Sequence, residues 1–156
     1  MSKFFVGYSN FATTTANKTA IKLIGATARK FEIVEVTMTG SGVAAPADVA
    51  HQCQVAFLTN TTSGTAVTPI PLAEKVDQGG IGSGLAVGTA YSAEPTTYNT
   101  NTYPLFGFNQ RGGMRWGVPQ GEGFKSDGGQ TALSIGVLVK SSVAGAVDGQ
   151  AFWWEP

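Results

Sequence analysis

Glycine or proline, 21 and 7 of the 156 residues, interrupts most windows of this chain long enough to hold an amphipathic helix. No sustained i, i+3, i+4, i+7 apolar stripe survives, whereas short runs rich in β-branched and aromatic residues recur from end to end. Nine such runs stand out: Lys3–Tyr8, Thr19–Ile24, Lys30–Thr39, Gln52–Thr59, Ala66–Leu72, Tyr103–Phe108, Met114–Val118, Thr131–Lys140 and Gln150–Glu155. Eight or nine short strands in one domain of this size predict an all-β, antiparallel β-sandwich of jelly-roll type.

Several runs carry finer information. Along Lys30–Thr39 the apolar phase slips, with Phe31 and Ile33 on one parity and Val34, Val36 and Met38 on the other. Side chains alternate with period two, so the slip predicts a bulge or burial on both faces. Cys53, Val55 and Phe57 share one face, and Leu133, Ile135, Val137 and Val139 alternate inward. Ala66–Leu72 is expected to pair with Gln52–Thr59 as a hairpin, its Pro69 and Pro71 marking an edge. Asn109–Gly113 is expected to close a second hairpin. Residues 73–102, rich in Gly and Thr, are expected to form a long loop ordered by a neighbouring subunit. Residues 1–17 read as an amino-terminal arm or first edge strand, and 18–156 as the sandwich.

Charge narrows the function. Asp, Glu, Lys and Arg make up only 13% of the chain, and ten of each sign cancel, against about 25% in an average protein. Without clustered cations, nucleic acid and anionic membranes are not expected partners. A neutral, weakly charged surface suits a protein held in an assembly. One cysteine precludes an intrachain disulfide. Met1–Asn10 has too short an apolar run for a signal peptide, so synthesis and use without export are expected.

Catalytic signals are absent. Gly79–Gly84 lacks the lysine of a phosphate-binding loop and is not followed by a helix signal. His51 and Cys53 share a strand face, but zinc wants three or four protein ligands, and no further histidine or cysteine exists. Glu32 and Glu35 have opposite parity and pair on one face only if the strand bulges. No catalytic, cofactor-binding or metal-ligating residues are assigned.

Aromatic residues remain, and most are expected in core or interface. The expected subunit-interface residues are Phe4, Phe5, Tyr8, Phe11, Tyr91, Tyr98, Tyr103 and Trp153. Trp153 and Trp154, adjacent on a strand, must point opposite ways, one of them into the core.

The order of several short motifs carries a resemblance: Ala66-Val67-Thr68-Pro69-Ile70-Pro71-Leu72, a Gly-rich loop, Ala93-Glu94-Pro95-Thr96, Phe108-Asn109-Gln110-Arg111, Arg115-Trp116, Pro119-Gln120-Gly121-Glu122, and a terminal aromatic-Glu strand. From about Lys18 to Glu155 the chain resembles the small jelly-roll decoration, or cement, proteins that tailed bacteriophages encode near their head genes. Its ending, Phe-Trp-Trp-Glu-Pro, departs from the aromatic and paired glutamates common there. The resemblance implies a non-enzymatic virion protein made in the host cytoplasm and placed on the capsid surface. Its implied partners are the major capsid protein and copies of itself, as a homotrimer. The alternatives are a carbohydrate-binding or host-adhesion module on the virion, with Tyr98, Tyr103 and Trp116 as stacking faces, or a tail or head–tail component.

Overall fold

A computed structural model of the chain describes residues 2–25, 30–41, 48–59, 65–72, 85–89, 94, 96–97, 105–126 and 133–155. Their regular structure is all strand: β1 (Ser2–Thr13), β2 (Lys18–Ile24), β3 (Phe31–Gly40), β4 (Ala50–Thr59), β5 (Thr65–Val67), β6 (Ile70–Pro71), β7 (Ala86–Thr89), β8 (Thr96–Thr97), β9 (Leu105–Asn109), β10 (Gly113–Gly117), β11 (Phe124–Ser126), β12 (Leu133–Ser141) and β13 (Gly145–Glu155). Nine of these have four residues or more.

Two antiparallel sheets result. Sheet A runs β10-β3-β13-β1-β6, with β11 also on β3. Sheet B runs β5-β7-β2-β12-β4-β8, with β9 also on β4. Within them, β1-β13-β3-β10 faces β2-β12-β4-β9, the strand order of an eight-stranded jelly roll. The chain between β4 and β9 adds β5 and β7 beyond β2 and lays β6 along β1.

The sheets meet over one core. Phe4, Val6, Phe31, Ile33, Val36, Met38, Val147, Ala151 and Trp153 from sheet A pack with Ile21, Leu23, Cys53, Val55, Ile135, Val137 and Val139 from sheet B. Trp153 is its largest buried side chain. Its ring stacks on Phe4 at 6.0 Å, and its indole N–H donates to the buried Glu155 Oε1 at 2.9 Å. That bond matters because an unpaired indole N–H would cost stability there.

The phase slip in β3 is a bulge. Phe152 pairs with Glu35 and Trp153 with Ile33, so Val34 is an extra residue on β3. Phe31 and Ile33 on one side of it, and Val36 and Met38 on the other, therefore all enter the core. A second bulge sets Ser9 and Asn10 opposite Asp148; Asn10 takes a left-handed φ of 52° and donates its N–H to Asp148 Oδ1 at 2.6 Å.

Of the two readings of residues 1–17, the strand rather than the arm describes residues 2–13: β1 pairs along β13 and sends Phe4 and Val6 into the core, meeting β6 only at Phe4 and Phe5. Three expectations change. Ala66–Leu72 does not pair with β4, whose sides are taken by β12 on one and by β8 and β9 on the other; it splits at Thr68-Pro69 into β5 on β7 and β6 on β1. Asn109–Gly113 does not close a hairpin, because β9 joins sheet B and β10 joins sheet A. The turn crosses between sheets instead, with Arg111 N–H donating to Asn109 Oδ1 at 2.9 Å and Gln110 N–H to Val49 O at 2.9 Å. Finally, the 73–102 span is not one loop: β7 lies in it, and Leu85 and Val87 are buried in the chain's own core.

Candidate functional site

The polar groups of the sandwich interior offer little open chemistry. His51 and Cys53 do share the inward face of β4, as their spacing predicts. His51 stacks on Phe108 at 5.1 Å, and neither ring nitrogen has a hydrogen-bond partner. Burial pushes its pKa below the ordinary imidazole value. Burial also pushes the Cys53 thiol up to about 12, so almost no thiolate exists at neutral pH. Among the described residues no three His, Cys, Asp or Glu side chains gather as a metal site would require.

The bulge at Val34 does bring Glu32 and Glu35 to one side of sheet A, the side away from the core. Each carboxylate is already engaged. Glu32 accepts the backbone N–H groups of Gly121, at 2.8 Å, and of Gly123. Glu35 accepts from Arg115 Nε at 2.8 Å.

That outer side of sheet A is where unusual side chains collect. Register places Ile70, Phe5, Phe152, Glu35 and Gly117 in one row across β6, β1, β13, β3 and β10. The next row holds Lys3, Trp154 and Glu32, with Leu72 donating its N–H to Lys3 O beside it. Phe5 stacks on Phe152 at 5.6 Å, and Lys3 Nζ lies 5.2 Å from the Phe152 ring centroid. Phe5, Phe152 and Trp154 are half-buried. Ile70 and Leu72 are exposed, at 53% and 43%. Two of the three large hydrophobic side chains exposed on the described surface thus lie together beside two stacked rings, forming an apolar strip at the β6 edge.

Beyond the strip the face turns polar. A trough of about 590 Å³ is lined by Lys3, Val34, Glu35, Arg115, Gly117, Val118, Pro119, Gln120 and Trp154. One wall is the 118–120 segment, tied down by Val118 N–H to Val34 O at 2.9 Å and by the Glu32 contacts just after it. Further along, a second depression of about 470 Å³ is lined by residues that include Gly7, Ser9, Thr37, Thr39, Asp148 and Gln150.

Of the expected interface residues, Phe5 lies half-buried on this outer face, and others lie elsewhere. Phe4 and Trp153 are corrected: at 1% and 0% exposure they are spent on the chain's own core. Trp154, rather than Trp153, is the partner that faces outward. Tyr8 points inward, its hydroxyl buried without a hydrogen-bond partner, and burial raises its pKa. It fits because Gly149 has no side chain: a Cβ there would lie 2.4 Å from the Tyr8 hydroxyl. Phe11 packs against the core, edge-on to Tyr8 at 5.6 Å, with Lys18 Nζ 5.5 Å from its ring centroid. Trp116 also packs against the core, 5.5 Å from the Phe124 ring, so it is no exposed stacking face. Tyr91, Tyr98 and Tyr103 lie outside the described residues.

Sequence reasoning missed Ile70, Leu72, Phe152 and Trp154 as surface residues. A signal existed for two of them, because Phe4-Phe5 and Phe152-Trp153-Trp154 place aromatics on both parities of their strands. The chain matches no family model, no curated protein and no solved structure.

Proposed function

We propose that this chain is a non-enzymatic virion structural protein, a capsid decoration protein that binds a phage head and stabilises it. The observation that carries the reading is the apolar strip of Ile70, Leu72, Phe5 and Phe152 on one outer face. A strip of this kind with a polar surround has the anatomy of a protein interface, apolar at its centre and hydrated at its rim. The formal net charge of zero supports the reading, since repeated copies close together on a shell do not repel through net charge. The resemblance of its motif order to that of phage decoration proteins supports it further. Jelly rolls serve capsids and lectins alike, so the fold alone does not choose between them.

In this reading the major capsid protein and neighbouring copies, as a homotrimer, cover the strip. A standard interface buries about 1,600 Å², and many copies add such contacts over a shell under internal pressure. The test is shell stability. Purified heads with the protein bound should withstand heat or salt that disrupts heads without it, and Ile70→Asp with Phe152→Asp should abolish attachment. Equal stability with and without the protein would refute cementing. Density on the tail in electron cryomicroscopy would instead assign it to a tail component.

A further inference from the structure

We infer that the trough beside Trp154 is a saccharide-binding site, independent of where the protein sits on a particle. Three features of the trough support this. Trp154 is half-buried, yet its ring stacks on no other ring and its indole N–H has no acceptor among the described residues. Trp153, one residue earlier, has both a stacked ring and an acceptor. A large aromatic side chain with an apolar body and a solvent-accessible polar tip at a wet rim suits a ligand that offers both C–H faces and oxygen atoms.

The second feature is the polar set across the trough. Arg115 contacts Glu35 through Nε at 2.8 Å while its side chain remains 74% exposed. Its terminal N–H groups therefore face solvent as donors, and the Glu35 carboxylate beside them is an acceptor. Neighbouring hydroxyls on a sugar ring each donate and accept, so a paired guanidinium and carboxylate matches a vicinal diol. Gln120 adds an amide to the lining.

The third feature is that the trough is built rather than incidental. The bulge at Val34 turns Glu35 outward, and the glycine opposite it, Gly117, leaves the floor open. Glu32 holds the 118–123 segment through two backbone N–H groups, so the wall is fixed before any ligand arrives. The volume of about 590 Å³ falls within the usual range for small-ligand sites. Lys3 and Arg115 against Glu35 leave an excess of one positive charge, which favours a uronic-acid or other anionic sugar over a neutral one.

The test uses the full chain on a printed array of neutral, N-acetylated and uronic-acid oligosaccharides, followed by titration of the best binder. Binding should fall at least about tenfold in Trp154→Ala and in Arg115→Ala, and Trp154→Phe should recover part of it. Arg115→Ala changes an exposed side chain, so it tests the site even if Trp154→Ala folds poorly. The same titration followed by NMR should move one of the three indole N–H signals, the one missing from Trp154→Phe. Silence of the folded protein across the array would overturn the inference, as would binding unchanged in Arg115→Ala or movement of a different indole signal. Head attachment lost through Ile70→Asp and Phe152→Asp, with saccharide binding retained, would separate this site from the docking strip.

Discussion

The two outer faces of the sandwich are built from the same kind of alternating strand and end up in opposite states. In the middle of sheet B the outward positions Thr19, Lys22, Gln54, Ala56, Leu58, Ser134 and Leu138 are buried, none more than 7% exposed, while Gln52 and Lys140 nearer one end are half-buried. Ala56, Leu58 and Leu138 even form a second small apolar cluster there. On sheet A the outward positions include half-buried Phe5, Phe152 and Trp154 and exposed Gly7, Gln150 and Arg115. Polarity thus fails to predict exposure, since a lysine, a glutamine and a serine are sealed while aromatic rings meet solvent. Side chains sealed in this way have no surface left to offer a partner, and half-buried rings on an outer face do.

The sharpest way to break the contrast is to truncate the neighbouring tryptophans separately. Trp153→Ala should cost about 3–5 kcal/mol, because it removes a fully buried ring and one hydrogen bond to Glu155. Trp154→Ala should cost about 1 kcal/mol or less. Urea unfolding of both variants checks this, and equal losses would mean that the outer face of sheet A is as closed as the core. The next test crosses the faces directly. Leu58→Ala on sheet B should cost about 2–5 kcal/mol, and Ile70→Ala on the sheet A side about 0.5 kcal/mol. A small loss at Leu58 would show that the sheet B face is covered only loosely.

A pH titration tests the interior lying between the two faces. Burial lowers the His51 pKa, so the unfolded chain takes up a proton that the folded chain resists. Its contribution to stability is therefore complete above about pH 6.5 and is lost as the pH falls from there to the lowered value, at up to about 1.4 kcal/mol per pH unit. His51→Phe should remove that slope from thermal melts recorded between pH 7 and 5. A slope that persists would place its origin in the carboxylates. The smallest effect concerns the open face: Arg115→Ala should change stability by about 0.5 kcal/mol, since the Arg115 side chain is 74% exposed. A larger loss would mean that the Glu35 contact holds the sheet together rather than lining a site.

Much of the local structure was legible in advance. The parity slip between Ile33 and Val34 foretold the β3 bulge, and the alternation of Ile135, Val137 and Val139 foretold their place in the core. Pro69 and Pro71 marked a sheet edge, where β6 in fact lies. The misreadings share a cause. Tyr103–Phe108 and Met114–Val118 look like hairpin arms because they are close in sequence and joined by a turn, yet in a jelly roll such neighbours often belong to opposite sheets. Phe152 and Trp154 are hard to place from sequence because they sit beside a residue that takes the core position.

By itself the sequence determined that this chain forms strands, roughly where they lie, and which side chains alternate. Those properties follow from a backbone whose side chains repeat every two residues, a rule readable over a handful of positions. Tertiary structure alone decided which strands became neighbours, which face of each sheet closed, and hence that Trp153 is core while Trp154 is surface. The reason is that burial of a given face depends on strands brought together from distant parts of the chain, such as β1 against β13, and no local pattern records which distant segment will arrive.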